Sequence, residues 1–186
     1  MKQQSHLALG RHLAKHFLEQ WPNHFTAAFL LGCIQPDKNP VTYLKGSLRS
    51  QLLRGHNWDN SRIYIQKLCH RLEARQAYRP SDAYALGKLM HYLADAFTYV
   101  HNAPFCTLSD HRAYEARLES YFLNFMRCPI LCQLSESDTV YETIAKSHME
   151  YIRQAGSVHT DACFAFSLAF LVMAKLTAEA CQSTPV

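Results

Sequence analysis

Nearly every segment of this chain repeats its apolar residues with the 3.6-residue period of an α-helix. No stretch of useful length shows the period-two alternation of a half-buried β-strand. The 6 glycines and 7 prolines also argue against a β fold with many tight turns. The pattern therefore predicts an all-α multi-helix bundle. The predicted helices are Gln4–Gln20, Phe25–Leu31, Val41–Leu53, Asp59–Arg75, Ser81–Tyr99, Asp110–Met126, Asp138–Gln154 and Asp161–Cys181.

Local signals place the ends of several of these helices. The segment QPDKNP contains Pro36 and Pro40, which predicts that the second helix stops near Gly32 and that Asp37 lies on a stiff loop. Short polar pairs predict N-caps at the start of four later helices. These pairs are Ser81-Asp82, Ser109-Asp110, Ser137-Asp138 and Thr160-Asp161.

Size and composition predict a single globular domain over residues 1–186. A chain of 186 residues can bury a stable core without disulfides or a structural metal. Its 48% hydrophobic and 18% charged residues exclude a disordered protein. The formal net charge of +4 is compatible with anionic substrates such as phosphate esters, but it does not indicate a stable complex with nucleic acid.

The apolar and cysteine-containing segments predict a cytoplasmic protein. The longest apolar window, Cys163–Ala174, is too short to cross a bilayer, so we expect a buried helix and no transmembrane segment. The first 18 residues contain no long apolar run and no small-residue cleavage site, so no signal peptide is expected. The 7 cysteines form no CxxC pair, which indicates neither a disulfide framework nor a cysteine–zinc site.

The stretch HYLADAFTYVHNAPF, which begins at His91, places three polar side chains in an apolar and aromatic segment. His91 and Asp95 are one helical turn apart on one face, so both could reach the same cation. Tyr84 and Lys88 extend this polar stripe toward the start of the helix. His101 falls where the helix should end and could point back toward the pair. A helical ion pair on a solvated face is the alternative explanation of HxxxD.

The next predicted helix repeats the arrangement in the segment HRAYE. His111 and Glu115 are again four residues apart, on the face that continues with Leu118 and Phe122. This pair should therefore lie at the end of a core-directed stripe. The alternative is that a glutamate in the first turn interacts favourably with the helix dipole.

Histidines and an aspartate nearer the N-terminus could complete such a site. Asp37 is either a positioned ligand or base, or an ordinary turn residue. His56 follows a glycine between two predicted helices, and His6 should face the interior from the first helix. The pair formed by His12 and His16 lacks a carboxylate, so we expect it on the surface.

Taken together, the candidate residues have the ligand chemistry of a multinuclear zinc site that performs hydrolysis. All of them offer nitrogen or oxygen, and none offers a thiolate, which fits catalytic zinc better than structural zinc. The candidates are His6, Asp37, His56, His91, Asp95, His101, His111 and Glu115.

The order and spacing of these motifs resemble the zinc-dependent phospholipase C family of bacteria, whose relatives include the three-zinc nucleases of fungi and plants. The shared pattern is HxxxD, a histidine six residues after the aspartate, and then HxxxE. The upstream segment GCIQPDKNP resembles the one that supplies the family's early aspartate, and Ser5-His6 resembles its N-terminal ligand. The resemblance covers about the first two thirds of the chain.

This resemblance implies two to three bound zinc ions. The ligands of one would be Asp37, His56, His91 and Asp95, and those of a second would be His101, His111 and Glu115. Asp95 would bridge to a third zinc, completed by His6 and the N-terminal amine of Met1. The family usually begins with a tryptophan at this place, whereas this sequence has Met1.

The resemblance also implies hydrolysis of a phosphoric diester, of the phospholipase C type, by attack of a metal-activated water in line on phosphorus. Asp37 would orient or deprotonate this water, and Lys88 would contact the phosphate. The substrate would be a phosphate ester of either a phospholipid or a nucleotide.

Two alternatives remain at this level. A single-strand nuclease or nucleotidase would need aromatic faces for base stacking, which Trp58, Tyr43 and Tyr99 could supply. A metal-binding regulatory protein without turnover would keep the same ligands, and the N-terminus and the expected cytoplasmic location slightly favour it.

Overall fold

The computed structural model of the protein describes residues 1–38, 57–102, 107–125 and 138–181, and these ranges contain eight helices and no strand. The predicted all-α fold is therefore confirmed. The predicted helix Val41–Leu53 lies outside the described residues. The helices are α1 (Gln3–Phe17), α2 (Asn23–Lys38), α3 (Trp58–Glu73), α4 (Pro80–Ala96), α5 (Tyr99–Asn102), α6 (Leu108–Phe125), α7 (Val140–Gln154) and α8 (Val158–Cys181).

Helix α4 is the central element, because most of its residues are buried and it packs against α1, α2, α3 and α8. Its contact with α2 is a direct approach of two backbones. A Cβ atom added to Gly87 would lie 2.0 Å from the Phe29 carbonyl oxygen, and one added to Gly32 would lie 2.2 Å from the Tyr84 carbonyl oxygen. Only glycine fits at such distances, so this pair of glycines sets α2 directly beside the polar face of α4.

The predicted end of the second helix at Gly32 is wrong, because α2 continues through Pro36 to Lys38. A proline inside a helix costs about 3 kcal/mol relative to alanine. Burial of Phe29, Cys33 and Pro36 offsets this cost, since burying a side chain as large as phenylalanine contributes about 1.5–3 kcal/mol by itself. Asp37 consequently occupies the last turn of a helix and not the stiff loop that its flanking prolines predict.

The predicted N-caps lie within a few residues of the observed ones. Helix α4 begins after Arg79, whose backbone N–H donates to the Asp82 carboxylate at 3.1 Å. At α7, Thr139 accepts from the Glu142 N–H. At α8, the Ser157 hydroxyl accepts from the Thr160 N–H at 3.0 Å, so Asp161 is not the cap. The shifts are small because a hydroxyl or carboxylate at any of several neighbouring positions can accept a hydrogen bond from the N–H groups of the first turn.

Helix α8 provides the apolar wall of the bundle. Its segment Val158–Ala178 has a mean hydropathy of 1.6 and is long enough to cross a membrane by length and composition, although 56% of its most apolar window is buried against the rest of the protein. The window Cys163–Ala174, predicted to be too short, therefore belongs to a longer helix. Phe166, Val172 and Met173 pack in the shared core, and core helices often pass the same test.

Candidate metal centre

Seven titratable side chains gather into two groups inside the described part of the bundle. The first ligand group consists of His6, Asp37, His91 and Asp95, from α1, α2 and α4. The second ligand group consists of His101, His111 and Glu115, from α5 and α6. Within each group, the candidate ligand atoms all lie within 4.8 Å of one another. Each group is thus compact enough to hold a metal ion.

Asp95 is the centre of the first ligand group. Its Oδ1 lies 3.2 Å from His6 Nε2, and its Oδ2 lies 3.3 Å from His91 Nε2. Asp37 Oδ1 approaches the same His91 nitrogen at 3.6 Å. The rings of His6 and His91 stack with their centroids 3.9 Å apart. His91 and Asp95 are buried and surrounded by other candidate ligands, so they do not form the solvated ion pair of the alternative explanation.

The orientation of the His91 ring is set by a backbone group. His91 Nδ1 donates a hydrogen bond to the Cys33 carbonyl oxygen at 2.9 Å, and a carbonyl can only accept. Nε2 therefore points toward Asp37 and Asp95, where it could bind a cation together with these carboxylates. Histidines that bind metals are commonly fixed in this way by a partner on the other ring nitrogen.

The second ligand group is formed where the short helix α5 meets α6. Glu115 Oε1 lies 3.3 Å from His101 Nε2 and 3.4 Å from His111 Nε2, and the two imidazole rings stack at 5.0 Å. On its other side, His101 Nδ1 lies 3.9 Å from Asp95 Oδ1. The two ligand groups are therefore adjacent, and Asp95 faces both of them.

The N-terminal amine of Met1 lies between the two ligand groups. It contacts Asp95 Oδ1, and it lies 3.3 Å from both His101 Nε2 and Glu115 Oε1. Burial acts to lower the pKa of this amine, but the carboxylates of Asp95 and Glu115 outweigh that effect and the pKa is raised. A positive charge on the amine therefore lies where the carboxylates of both groups converge.

The surroundings keep the ligand side chains in protonation states that suit a metal. Burial, followed by repulsion from His91, lowers the pKa of His6 to about 4, and burial also lowers the pKa of His101. Burial alone would raise the pKa of Asp95, but the amine and neighbouring histidines hold it well below its usual value. Neutral imidazoles and an ionised carboxylate are the forms that bind zinc.

Several polar atoms at the centre have no hydrogen-bond partner among the described residues. They are Nδ1 of His6, Nδ1 of His101 and Oγ of Ser5. A buried polar atom without a partner costs about 1–3 kcal/mol, so such atoms rarely occur together without a reason. Imidazole nitrogens and carboxylate oxygens are donors that zinc accepts, and the residues present therefore fit a zinc centre.

The remaining site residues expected from the sequence have different outcomes. His56 lies outside the described residues. Lys88 Nζ lies over the rings of Tyr64 and Tyr84, 4.9 and 5.5 Å from their centroids, so the lysine is held by cation–π contacts on the polar stripe of α4. Its contact with phosphate stays a prediction. Asp37 reaches the first ligand group with 18% of its side chain exposed.

Two groups that support the site escaped the sequence analysis. The Cys33 carbonyl that orients His91 is a backbone atom and leaves no signal in the residue pattern. The sequence predicts an N-cap at Asp161, but its carboxylate is buried and accepts hydrogen bonds from Tyr99, Tyr114 and Tyr151. The sequence positions of these tyrosines do not reveal which carboxylate they contact.

Comparison with known protein families gives a match over most of the chain. The family described as zinc-dependent phospholipase C matches residues 5–160, which is most of the chain and includes every side chain of both ligand groups. A search of curated proteins found no match, and a search of solved structures found none.

Proposed function

This chain belongs to the zinc-dependent phospholipase C family, and on that premise we propose that it is a zinc-dependent phosphoric diester hydrolase that acts on phospholipids. The observation that carries the proposal is the pair of adjacent ligand groups, in which Asp95 of the first group also faces the second. Two cations held this close could act on one phosphate, because metals roughly 3.5–4 Å apart stabilise both the attacking and the leaving oxygen.

We propose that the protein binds two to three zinc ions. Asp37, His91 and Asp95 of the first ligand group, completed by His56, would hold one, and the second ligand group would hold another. A third would be bound between Asp95, His6 and the amine of Met1. The contact of this amine with Asp95 supports the third site, because it shows that the terminus of this chain reaches the centre. When bound, zinc would supply positive charge for the phosphate and a nucleophilic water at neutral pH.

The exposed fractions of the ligands indicate the side from which a substrate would approach. His6, His91 and Asp95 are buried, with about 1% of each residue exposed. Asp37, His111 and Glu115 are 18%, 17% and 16% exposed. Phosphate would therefore enter across the edge formed by these three side chains, and the deeper residues would hold the cations without touching the substrate.

Asp37 is the residue best placed to act on the attacking water. It is the partly exposed carboxylate of the first ligand group, and its Oδ1 is 3.6 Å from His91 Nε2. From the end of α2 its carboxylate could orient a water toward phosphorus and accept its proton. Lys88, held on the same side of α4 as His91, would add attraction for the phosphate.

Replacing Asp37 by asparagine tests this role. We expect Asp37→Asn to retain the fold and to lower kcat for phosphatidylcholine about 10²–10⁴-fold, the range that a general base contributes. The exposed Asp59→Asn is the matched control and should leave the rate unchanged. An Asp37→Asn enzyme with the wild-type rate would contradict the proposed role of this carboxylate.

The nuclease alternative differs from the proposed phospholipase activity in its substrate and not in its metal ligands. Trp58, one of the aromatic residues considered for base stacking, stacks on His148 at 4.3 Å and so already has a partner. Tyr99 is 38% exposed and lies two residues before His101, so it is the aromatic side chain that keeps this alternative open. Tyr43 lies outside the described residues. Faster turnover of single-stranded DNA than of phosphatidylcholine would favour the nuclease, and no turnover of either by zinc-loaded protein would favour the regulatory alternative.

A further inference from the structure

Asp161 is a buried carboxylate that joins four helices through three hydrogen bonds. Its Oδ2 accepts from the Tyr99 N–H at 2.8 Å and from the Tyr114 hydroxyl at 2.9 Å. Its Oδ1 accepts from the Tyr151 hydroxyl at 2.8 Å. The side chain lies on α8, and the three donors lie on α5, α6 and α7. Only 1% of the residue is exposed, so the carboxylate depends on these donors.

Two of these donors adjoin the second ligand group. Tyr99 is the first residue of α5, two positions before His101, and Tyr114 directly precedes Glu115 on α6. Asp161 Oδ2 therefore links the backbone of α5, which carries His101, to the Tyr114 side chain of α6, which carries Glu115. Tyr151 lies on α7, which contributes no side chain to either ligand group.

The short helix α5 needs such a contact. A helix of 4 residues is too short to be stable by itself. Its C-terminal end is held by the Asn102 side chain, which donates to the carbonyl oxygens of Ala96 and Thr98 at 2.9 and 3.0 Å. Its N-terminal end is held by Asp161 through the Tyr99 N–H. The position of His101 is thus set by contacts at both ends of α5.

A simple capping role does not account for Asp161. The first turn of α8 is already capped by the Ser157 hydroxyl, which accepts from the Thr160 N–H at 3.0 Å. We therefore propose that Asp161 is a positioning residue for the second ligand group, and that its Oδ2 fixes the separation of α5 and α6 so that His101 and Glu115 can share one cation. This inference rests on the proposed binding of zinc by that group.

A matched pair of substitutions separates positioning from general stabilisation. Tyr114→Phe and Tyr151→Phe each delete one hydroxyl that donates to the same carboxylate, but only Tyr114 lies beside a ligand. Zinc affinity would be measured by competition with a chromophoric chelator, and His111→Ala would identify the zinc held by the second ligand group. We expect Tyr114→Phe to weaken this zinc about tenfold, as loss of a supporting contact commonly does. Tyr151→Phe should change the affinity for this zinc less than about twofold, even if it lowers the melting temperature more than Tyr114→Phe does.

The conservative variant of Asp161 provides a second test. In Asp161→Asn the amide oxygen can still accept from Tyr99 and Tyr114, while the amide nitrogen donates to the Tyr151 oxygen. We expect near-wild-type zinc affinity for this variant and an unchanged visible spectrum after cobalt substitution. Asp161→Leu should lose the affinity and alter the cobalt spectrum, since leucine can accept none of the three hydrogen bonds.

The outcomes distinguish this inference from the proposed function. Suppose that wild-type protein binds two classes of zinc, and that Tyr114→Phe and Tyr151→Phe change the zinc affinity equally. The positioning role of Asp161 would then be overturned, while zinc binding by the protein would stand. If His111→Ala removes no bound zinc from the protein, the second ligand group does not bind zinc. That result would overturn both zinc binding by this group and the positioning role of Asp161.

Discussion

At the scale of single residues, Asp95 and Met1 organise the centre. Asp95 faces His6, His101 and the Met1 amine with one carboxylate oxygen and His91 with the other. A carboxylate with both oxygens directed at separate sets of donors is suited to bridge two cations. The amine is the third possible nitrogen donor beside Asp95 Oδ1, and its ability to bind metal requires that it be free.

Extending the backbone before Met1 tests the role of the amine. With a Gly-Ser extension, the Met1 nitrogen becomes an amide, which is a poor ligand, and its buried position leaves no room for added residues. We expect the zinc content to fall by about one equivalent and the melting temperature of the zinc-loaded protein to fall as well. The same two residues added at the C-terminus serve as the control. Unchanged zinc content in the N-terminally extended protein would show that the amine is not a ligand.

His148 makes stability depend on pH independently of the centre. Its ring stacks on Trp58 at 4.3 Å, and burial lowers its pKa to about 4 from an ordinary value of 6.5. The unfolded chain therefore binds a proton at higher pH than the folded one. The stability that the neutral ring contributes is present above pH 6.5 and is lost as the pH falls toward 4.

Urea unfolding at pH 7 and pH 5 measures this contribution. Wild-type protein should lose about 1–2 kcal/mol more than His148→Phe between the two pH values, because the variant has no imidazole to protonate. His70→Phe, which changes an exposed histidine, should lose as much as wild type. An equal pH dependence of wild type and His148→Phe would exclude His148 as the source.

At the scale of helices, tertiary packing determined some helix ends that local sequence signals did not predict. The helical period predicted α1, α3, α4, α6 and α7 because their apolar faces are regular. The sequence signals ended α2 too early, because glycine and proline weaken an isolated helix. In the folded protein, however, the close approach of α2 to α4 requires a glycine at Gly32. The helical period did not separate α5 from α4, because Tyr99–Asn102 is too short to show a period.

Gly87→Ala tests the close contact of α2 with α4. The added Cβ would lie 2.0 Å from the Phe29 carbonyl oxygen, a backbone atom that cannot move unless α2 moves. We expect a loss of about 3 kcal/mol or more in the free energy of unfolding, together with weaker zinc binding as Asp37 is displaced from His91.

Gly10→Ala is the control for this substitution, because its Cβ would meet the side chain of Cys33 at 2.9 Å and not a backbone atom. Alanine also favours the helix by about 1 kcal/mol relative to glycine, so this variant should be much less destabilised. Similar unfolding free energies for the two variants would contradict the importance of the α2–α4 contact.

The candidate site was predicted more completely than the helix ends. HxxxD and HxxxE place their side chains by helix geometry alone, so the pairs of α4 and α6 follow from spacing. The joining of these pairs with His6 and Asp37 depends on long-range packing, which ligand chemistry and the family resemblance suggested but spacing alone does not determine. The Cys33 carbonyl and the buried position of Asp161 required the three-dimensional structure.

At the scale of the whole molecule, the helices form a scaffold around a polar centre. The core that encloses the buried charges is formed by several helices. Its residues come from α8 and from the apolar faces of α1, α3, α4, α6 and α7. The single domain and the cytoplasmic location expected from the sequence stay predictions. We propose that the buried centre joined by Asp95 holds more than one zinc ion.

Zinc content per chain tests this claim most directly. It would be measured on untagged protein, purified without chelator, for wild type, Asp95→Ala and the exposed control Asp59→Ala. All three would carry His16→Gln, because the rings of His12 and His16 lie 4.6 Å apart on α1 and could bind stray metal.

We predict about two to three zinc equivalents for the wild-type centre and for Asp59→Ala. Asp95→Ala should retain about one, because the bridging carboxylate is lost while the second ligand group remains. Less than one equivalent in all three proteins, unchanged by the loss of Asp95, would contradict the multinuclear centre and the hydrolase built on it.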